Sequence, residues 1–268
     1  MPGGDEEDRQ PEMPMGFSEP QAPFLSGSQS ARHWSESWVR DWGFCIQCGH
    51  SRLLKFDNNE PVADFRCESC SEQFELKSKR GRLGAKVADG AYRTKIDRLT
   101  SSQNPNLLLM TYDLTERAVT NLIAVPKHYF VPRIIQKRRP LAPSARRAGW
   151  IGSNILLSEI PDSGKIYIVR DSLPQPRGEV MKRWQTNSFL ANAPLDARGW
   201  LLEIMRTVEA LGKPEFEIAD VYADEARLST VYPGNRHVRE KIRQQLQVLR
   251  DYGYLDFVSR GIYKLRRS

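Results

Sequence analysis

Asp64, Glu75 and Lys77 stand in the pattern Asp-x10-Glu-x-Lys, with Pro61 three residues before the aspartate. In a strand, residues i and i+2 share a face. Glu75 and Lys77 therefore project together, while Phe74 and Leu76 turn the other way towards a core. An antiparallel neighbour can bring Asp64 beside them. Two carboxylates and a main-chain carbonyl are hard oxygen donors of the kind Mg²⁺ prefers, and Mg²⁺ so held keeps waters and meets phosphate oxygens. A lysine beside the ion can orient an attacking water and balance charge growing on phosphorus. The chemistry this set would do is phosphodiester hydrolysis. Glu-x-Lys alone has a plainer reading, a salt bridge on a solvated strand face.

Cys45, Cys48, Cys67 and Cys70 form C-x2-C-x18-C-x2-C, the spacing of a four-thiolate zinc site built from two knuckles. The alternatives are two disulfides or buried free thiols. No charged-then-apolar leader pattern opens the sequence, so a cytoplasmic protein is expected and disulfides are disfavoured. With every coordination position filled by sulfur, the zinc would be structural and add roughly 10 kcal/mol or more to folding.

Elements must hold these side chains in place. The apolar spacing predicts a helix over Gln29–Trp42, with Trp34, Trp38 and Val39 on one face. Strands are expected at Pro61–Arg66 and Gln73–Lys77, with the second knuckle fastening the hairpin between them. A helix over Leu83–Ser101 follows, then buried strands at Leu107–Tyr112, Val119–Val125 and Lys165–Val169. This is an α/β pattern around one sheet. Residues 171–195, with Pro174, Pro176, Gly178 and Pro194, read mainly as a connection. Helices at Leu195–Leu211, Ile218–Leu228 and Asn235–Tyr252, a short strand at Glu215–Glu217, and strands at Leu255–Val258 and Ile262–Leu265 give the α+β layout of a winged helix. The expected domains are 29–194 and 195–268, after a disordered acidic tail over 1–28.

The third of these helices is the candidate groove reader. Arg236, Arg239, Arg243 and Gln247 fall on one stripe, with His237, Lys241 and Gln244 beside it. Arginine and glutamine are the side chains that pair with guanine and adenine edges in the major groove. Arg260, Lys264, Arg266 and Arg267 on the wing would meet phosphates. The segment Pro140–Gly152 carries Arg146, Arg147 and Trp150, suited to phosphate contact and groove insertion. A structural loop with a buried tryptophan is its alternative.

The 268-residue chain carries 40 Lys plus Arg against 33 Asp plus Glu, a net charge of +7. Residues 1–31 hold six acids and one base, so the basic excess of the remaining chain is larger still. That is the electrostatic footprint of a phosphate-backbone binder. No stretch approaches the ~20 apolar residues of a membrane span. At 40% hydrophobic the chain can bury a core, which excludes a wholly disordered or collagen-like protein.

The runs Pro61–Phe65, Glu75–Lys79, Pro140–Gly152 and Lys241–Asp251 resemble the DpnI-like family of methyl-dependent restriction endonucleases, and the resemblance extends over about Ser28 to Arg266. It implies an α/β fold, a PD-(D/E)xK restriction-endonuclease-like mixed sheet with a four-cysteine zinc site, followed by a winged helix. It implies cleavage of double-stranded DNA at GATC sites carrying N6-methyladenine, with Mg²⁺ as catalytic and Zn²⁺ as structural ion. By position, Asp64, Glu75 and the Leu76 carbonyl would hold Mg²⁺ and Lys77 would complete the motif. Trp150 matches the family's methyl-sensing tryptophan. Trp200 is a candidate for a second methyl pocket, beside an equally good core reading. The expected partner is adenine-methylated duplex DNA, met by a monomer without membrane attachment. The first 28 residues are additional to the family pattern. A zinc-containing winged-helix regulator without catalysis is the alternative from another class, and a repair or RNA-directed nuclease is a third.

Overall fold

The computed structural model of the chain describes residues 13–18, 26–56, 63–99, 101 and 104–266. In chain order its strands and α-helices are α1 (Gly27–Trp42), β1 (Leu53–Lys55), β2 (Phe65–Cys67), β3 (Gln73–Arg80), β4 (Lys86–Ala91) and α2 (Tyr92–Arg98). Then come β5 (Asn106–Asp113), β6 (Ala118–Val125), β7 (Ile135–Lys137), β8 (Gly152–Leu156), β9 (Ile166–Arg170), β10 (Leu173–Pro174) and α3 (Arg177–Asn187). The chain closes with α4 (Leu195–Ala210), β11 (Glu215–Glu217), α5 (Ile218–Tyr222), α6 (Glu225–Val231), α7 (Val238–Asp251), β12 (Leu255–Ser259) and β13 (Ile262–Leu265).

The two longest apolar runs become the middle of a mixed sheet with strand order β1-β2-β3-β5-β6-β9-β10. β5 is buried from Asn106 through Tyr112, as a strand covered on both faces must be. Among the described residues only β3 and β5 run parallel, and the crossover between them is made by β4 and α2. On one face, Leu108 and Met110 pack under Trp34, Trp38 and Val39 of α1 and Val180 and Trp184 of α3. On the other, Leu107 and Leu109 join Tyr129, Phe130 and Ile134, and this core runs on into α4 and α7. Glu75 and Lys77 pair with Leu107 and Leu109, so they lie on that second face, while Phe74 is fully buried on the first. The predicted i, i+2 split holds.

A small sheet, β4-β8-β7, lies across the crossover, and a third, β11-β13-β12, belongs to the C-terminal unit. There the order helix, strand, helices, helix, strand, strand matches the expected helix-turn-helix with a wing.

Several expectations are corrected. Leu83–Ser101 is not one helix: β4 pairs with β8, a bulge between Asp89 and Ala91 breaks the ladder at Gly90, and only seven residues of α2 are helical. Glycine weakens helix here and suits a bulge. Residues 171–195 are not mainly a connection, because α3 follows Pro176 and buries Val180 and Trp184, four residues apart. The helix expected over 218–228 is split, since the Asp224 carboxylate accepts from Thr207 Oγ1 at 2.6 Å and binds Arg227 at the break. Of the strand expected over 61–66, the last two residues open β2, while Pro61 and Val62 lie outside the described residues.

The expected tail over 1–28 also departs from the structure where it is described. Met15 O accepts from Val119 N at 2.8 Å, Phe17 N donates to Arg117 O at 2.9 Å, and the Phe17 ring stacks on Trp34 at 3.7 Å. Apolar residues 13, 15 and 17 thus pack against the core, a role that the surrounding acidic composition concealed.

Candidate active site

The β2–β3 hairpin assembles the acidic pair. Asp64 N donates to Phe74 O at 2.9 Å, and its carboxylate Oδ2 accepts from Leu76 N at 2.7 Å. Asp64 therefore sits against the strand that carries Glu75 and Lys77. Glu75 Oε1 lies 2.7 Å from Lys77 Nζ. All three line a cleft of about 650 Å³, with Arg32 and Glu36 of α1 on one wall and Lys86 of β4 on the other. Arg32 reaches Asp64 Oδ1 at 3.4 Å and Glu36 at 2.5 Å. Lys55 binds the second Glu36 oxygen at 2.7 Å.

Electrostatics follow from this crowding. Burial raises the Asp64 pKa despite the Leu76 N–H, and Glu36 and Glu75 add to the rise. Burial works against the Lys77 ammonium, but Glu75 and Asp89 outweigh it and hold the lysine above its ordinary range. Lys77 is therefore held as a cation at neutral pH. Asp89 is the reverse: burial would raise it, but Lys95 and Lys77 pull it well below the usual carboxylate range. Sequence reasoning missed Asp89 and Lys95. Both sit in the stretch read as one helix, where neither would meet β3.

The four cysteines converge as their spacing predicts. All are free thiols, with Cys45 and Cys70 Sγ 3.5 Å apart and Cys48 and Cys67 Sγ likewise 3.5 Å apart. Four sulfurs at ~2.3 Å from one tetrahedral zinc stand about 3.8 Å from each other. The set fits such an ion, and among the described residues it is the one group of three or more His, Cys, Asp or Glu with ligand atoms all within 4.8 Å. Gly49 at φ +77° lets the first knuckle turn back, where its N–H meets Cys45 O at 2.8 Å. Burial pushes the Cys45 thiol far up. At Cys48 burial is outweighed by the His50 N–H and the neighbouring thiols, which leaves it at about 7. The cluster ties the chain after α1 to the β2–β3 turn, so it braces the hairpin that presents Asp64 and Glu75.

The candidate DNA-contacting residues fall in two places. On α7, Val238, Ile242, Leu246 and Leu249 turn inward, and Arg239, Arg243, Gln244 and Gln247 are exposed. Arg236 and His237 are exposed just before the helix, not on it. Arg239 binds Glu225 at 2.7 Å, Arg243 donates to the Tyr222 hydroxyl, and both guanidiniums lie over the Tyr222 ring. Gln244 accepts from Lys241 at 2.8 Å. In the Pro140–Gly152 loop, Arg146 and Arg147 are exposed, and Arg147 stacks over the half-buried Trp150 ring at 4.7 Å. That ring covers Gly152, where any side chain would collide with it. Trp200 is buried and stacked on Tyr232 at 3.9 Å, so its core role is the one the packing displays. The two rings floor a cavity rimmed by Arg236 and His237. On the wing Arg260 and Lys264 are exposed and Arg266 pairs with Asp256, while Arg267 lies outside the described residues. No helix among the described residues is long and apolar enough to cross a membrane.

Compared with known protein families, residues 19–193 match the DpnI family, described as Dam-replacing, and residues 196–265 match the Dam-replacing HTH domain.

Proposed function

The chain belongs to the DpnI, or Dam-replacing, family and ends in that family's HTH domain, and on that premise we propose that it is a restriction endonuclease for double-stranded DNA at GATC sites carrying N6-methyladenine. This reading takes 29–194 as a PD-(D/E)xK nuclease domain and 195–268 as a winged-helix DNA-binding domain. The observation that carries it is the meeting of Asp64, Glu75 and Lys77 in one cleft. A salt bridge alone would account for Lys77 with Glu75; the addition of Asp64 to the same cleft is what favours the catalytic reading over a non-catalytic regulator.

Asp64, Glu75 and the Leu76 carbonyl would hold Mg²⁺. When bound, the ion supplies Lewis acidity towards the phosphate and lowers the pKa of nearby water. The rest falls to this chain's own side chains. Lys77, kept protonated, offsets the negative charge that grows on the phosphate oxygens as the phosphorus becomes five-coordinate. Arg32 and Lys86 on the cleft walls neutralise the flanking backbone. Trp150 offers an apolar ring to the adenine methyl. One methyl is worth only ~0.8 kcal/mol on burial, so a second test of the site through α7 is needed for sharp discrimination.

The test is digestion of plasmid from adenine-methylating and non-methylating hosts, with Mg²⁺ and with chelator. Cutting of methylated plasmid alone, abolished by chelator, is the expected result. Equal cutting of both removes the methyl dependence, and no cutting of either removes the nuclease reading.

A further inference from the structure

Glu75 is held from two sides. Lys77 Nζ lies 2.7 Å from Oε1 and Lys95 Nζ lies 3.0 Å from Oε2. Each ammonium also reaches Asp89, both at 3.1 Å. The four groups close a ring of alternating charge. Lys77 belongs to the Glu-x-Lys motif, but Lys95 comes from α2 and meets the other Glu75 oxygen. Its side chain is 9% exposed, and its ammonium also sits 5.4 Å from the centre of the Phe130 ring. A buried ammonium is costly unless it is paired, and one of its two partners here is a carboxylate needed for the metal.

We propose that Lys95 is a resident counter-cation of Glu75, which holds that carboxylate in place when no divalent ion is bound and competes with the ion for it. The inference rests on the reading of Glu75 as a metal ligand. It follows from charge and position: an ion at Glu75 has a fixed positive neighbour on the other oxygen, at a depth where screening by water is weak. Asp89 gives the displaced ammonium a carboxylate to keep. The free protein is thus a weaker ion binder than its two acids alone would make it.

The test is Mn²⁺ titration of the full-length, zinc-loaded protein without DNA, read by the electron paramagnetic resonance of free Mn²⁺. Wild type, Asp64→Asn, Lys95→Met and Lys95→Gln are compared, with thermal melts to check folding. Lys95→Gln keeps an amide donor for Asp89, so it covers the case in which the methionine variant fails to fold. The expected result is Mn²⁺ binding that Asp64→Asn abolishes and that either Lys95 variant tightens on the order of tenfold, the scale of one charge-assisted contact. Asp64-dependent binding that the Lys95 variants leave unchanged or weaken overturns the role of Lys95 and leaves the nuclease reading standing. Absence of Asp64-dependent binding in every protein overturns the metal site itself.

Discussion

Lys77 has both of its carboxylate partners fixed on β3 and β4, and this decides what its loss would do. Lys77→Met removes the cation and leaves a shape that fits, so duplex binding should persist while the cleavage rate falls by roughly 10²–10³-fold or more. Gel-shift and single-turnover cleavage on the same methylated duplex separate the two effects, and retained cleavage would refute the assignment. At this scale the sequence was readable where chemistry obeyed strand parity. Glu75 and Lys77 share a face because they are two apart. Asp64 was placed beside them by the hairpin that the second knuckle closes. Asp89 and Lys95 were not readable, because their approach to Glu75 depends on a bulge at Gly90 and on a crossover, both of them tertiary facts.

The elements bracing these residues are short, and they lean on the cysteine cluster. β1 and β2 have three residues each, too few to hold a hairpin by ladder hydrogen bonds alone. Stripping metal from the purified protein with a strong chelator should therefore lower the melting temperature by roughly 10 °C or more, and addition of Zn²⁺ should restore it. An unchanged melting curve would remove the bracing role. The strands of the main sheet were legible from their unbroken apolar runs, and α7 from its 4, 4, 3 spacing of Val238, Ile242, Leu246 and Leu249. α3 was obscured by prolines that turned out to lie before and after it. The split between α5 and α6 has no signal in spacing, since it comes from Asp224 bonding outward to Thr207 and Arg227.

Across the whole molecule, the cleft half and the C-terminal half share one apolar core. Arg133 binds Glu203 of α4, Glu209 accepts from the backbone N–H of Asp162 at 2.5 Å, and Phe189 stacks on Tyr252 at 4.9 Å. His128 is buried close to this seam. Burial first, then Arg198 and Lys127, pulls it down to about 3 from an ordinary 6.5. It stays neutral in the folded protein and takes up a proton on unfolding below pH 6.5. Its contribution is therefore fully present above pH 6.5 and is lost as pH falls towards 3, by up to about 1.4 kcal/mol per pH unit. His128→Phe, set among Tyr129 and Trp184, should flatten that acid-side slope in melts from pH 7.5 to 5; a parallel slope would discount His128. The common core has a consequence for how DNA is handled. Because α4 and α7 pack into the same core as Leu107 and Leu109 under the cleft, α7 and the cleft stand at one offset, a built-in ruler. On the reading of both as DNA contacts, a duplex held at both points would present its two contacts at one set step along its axis.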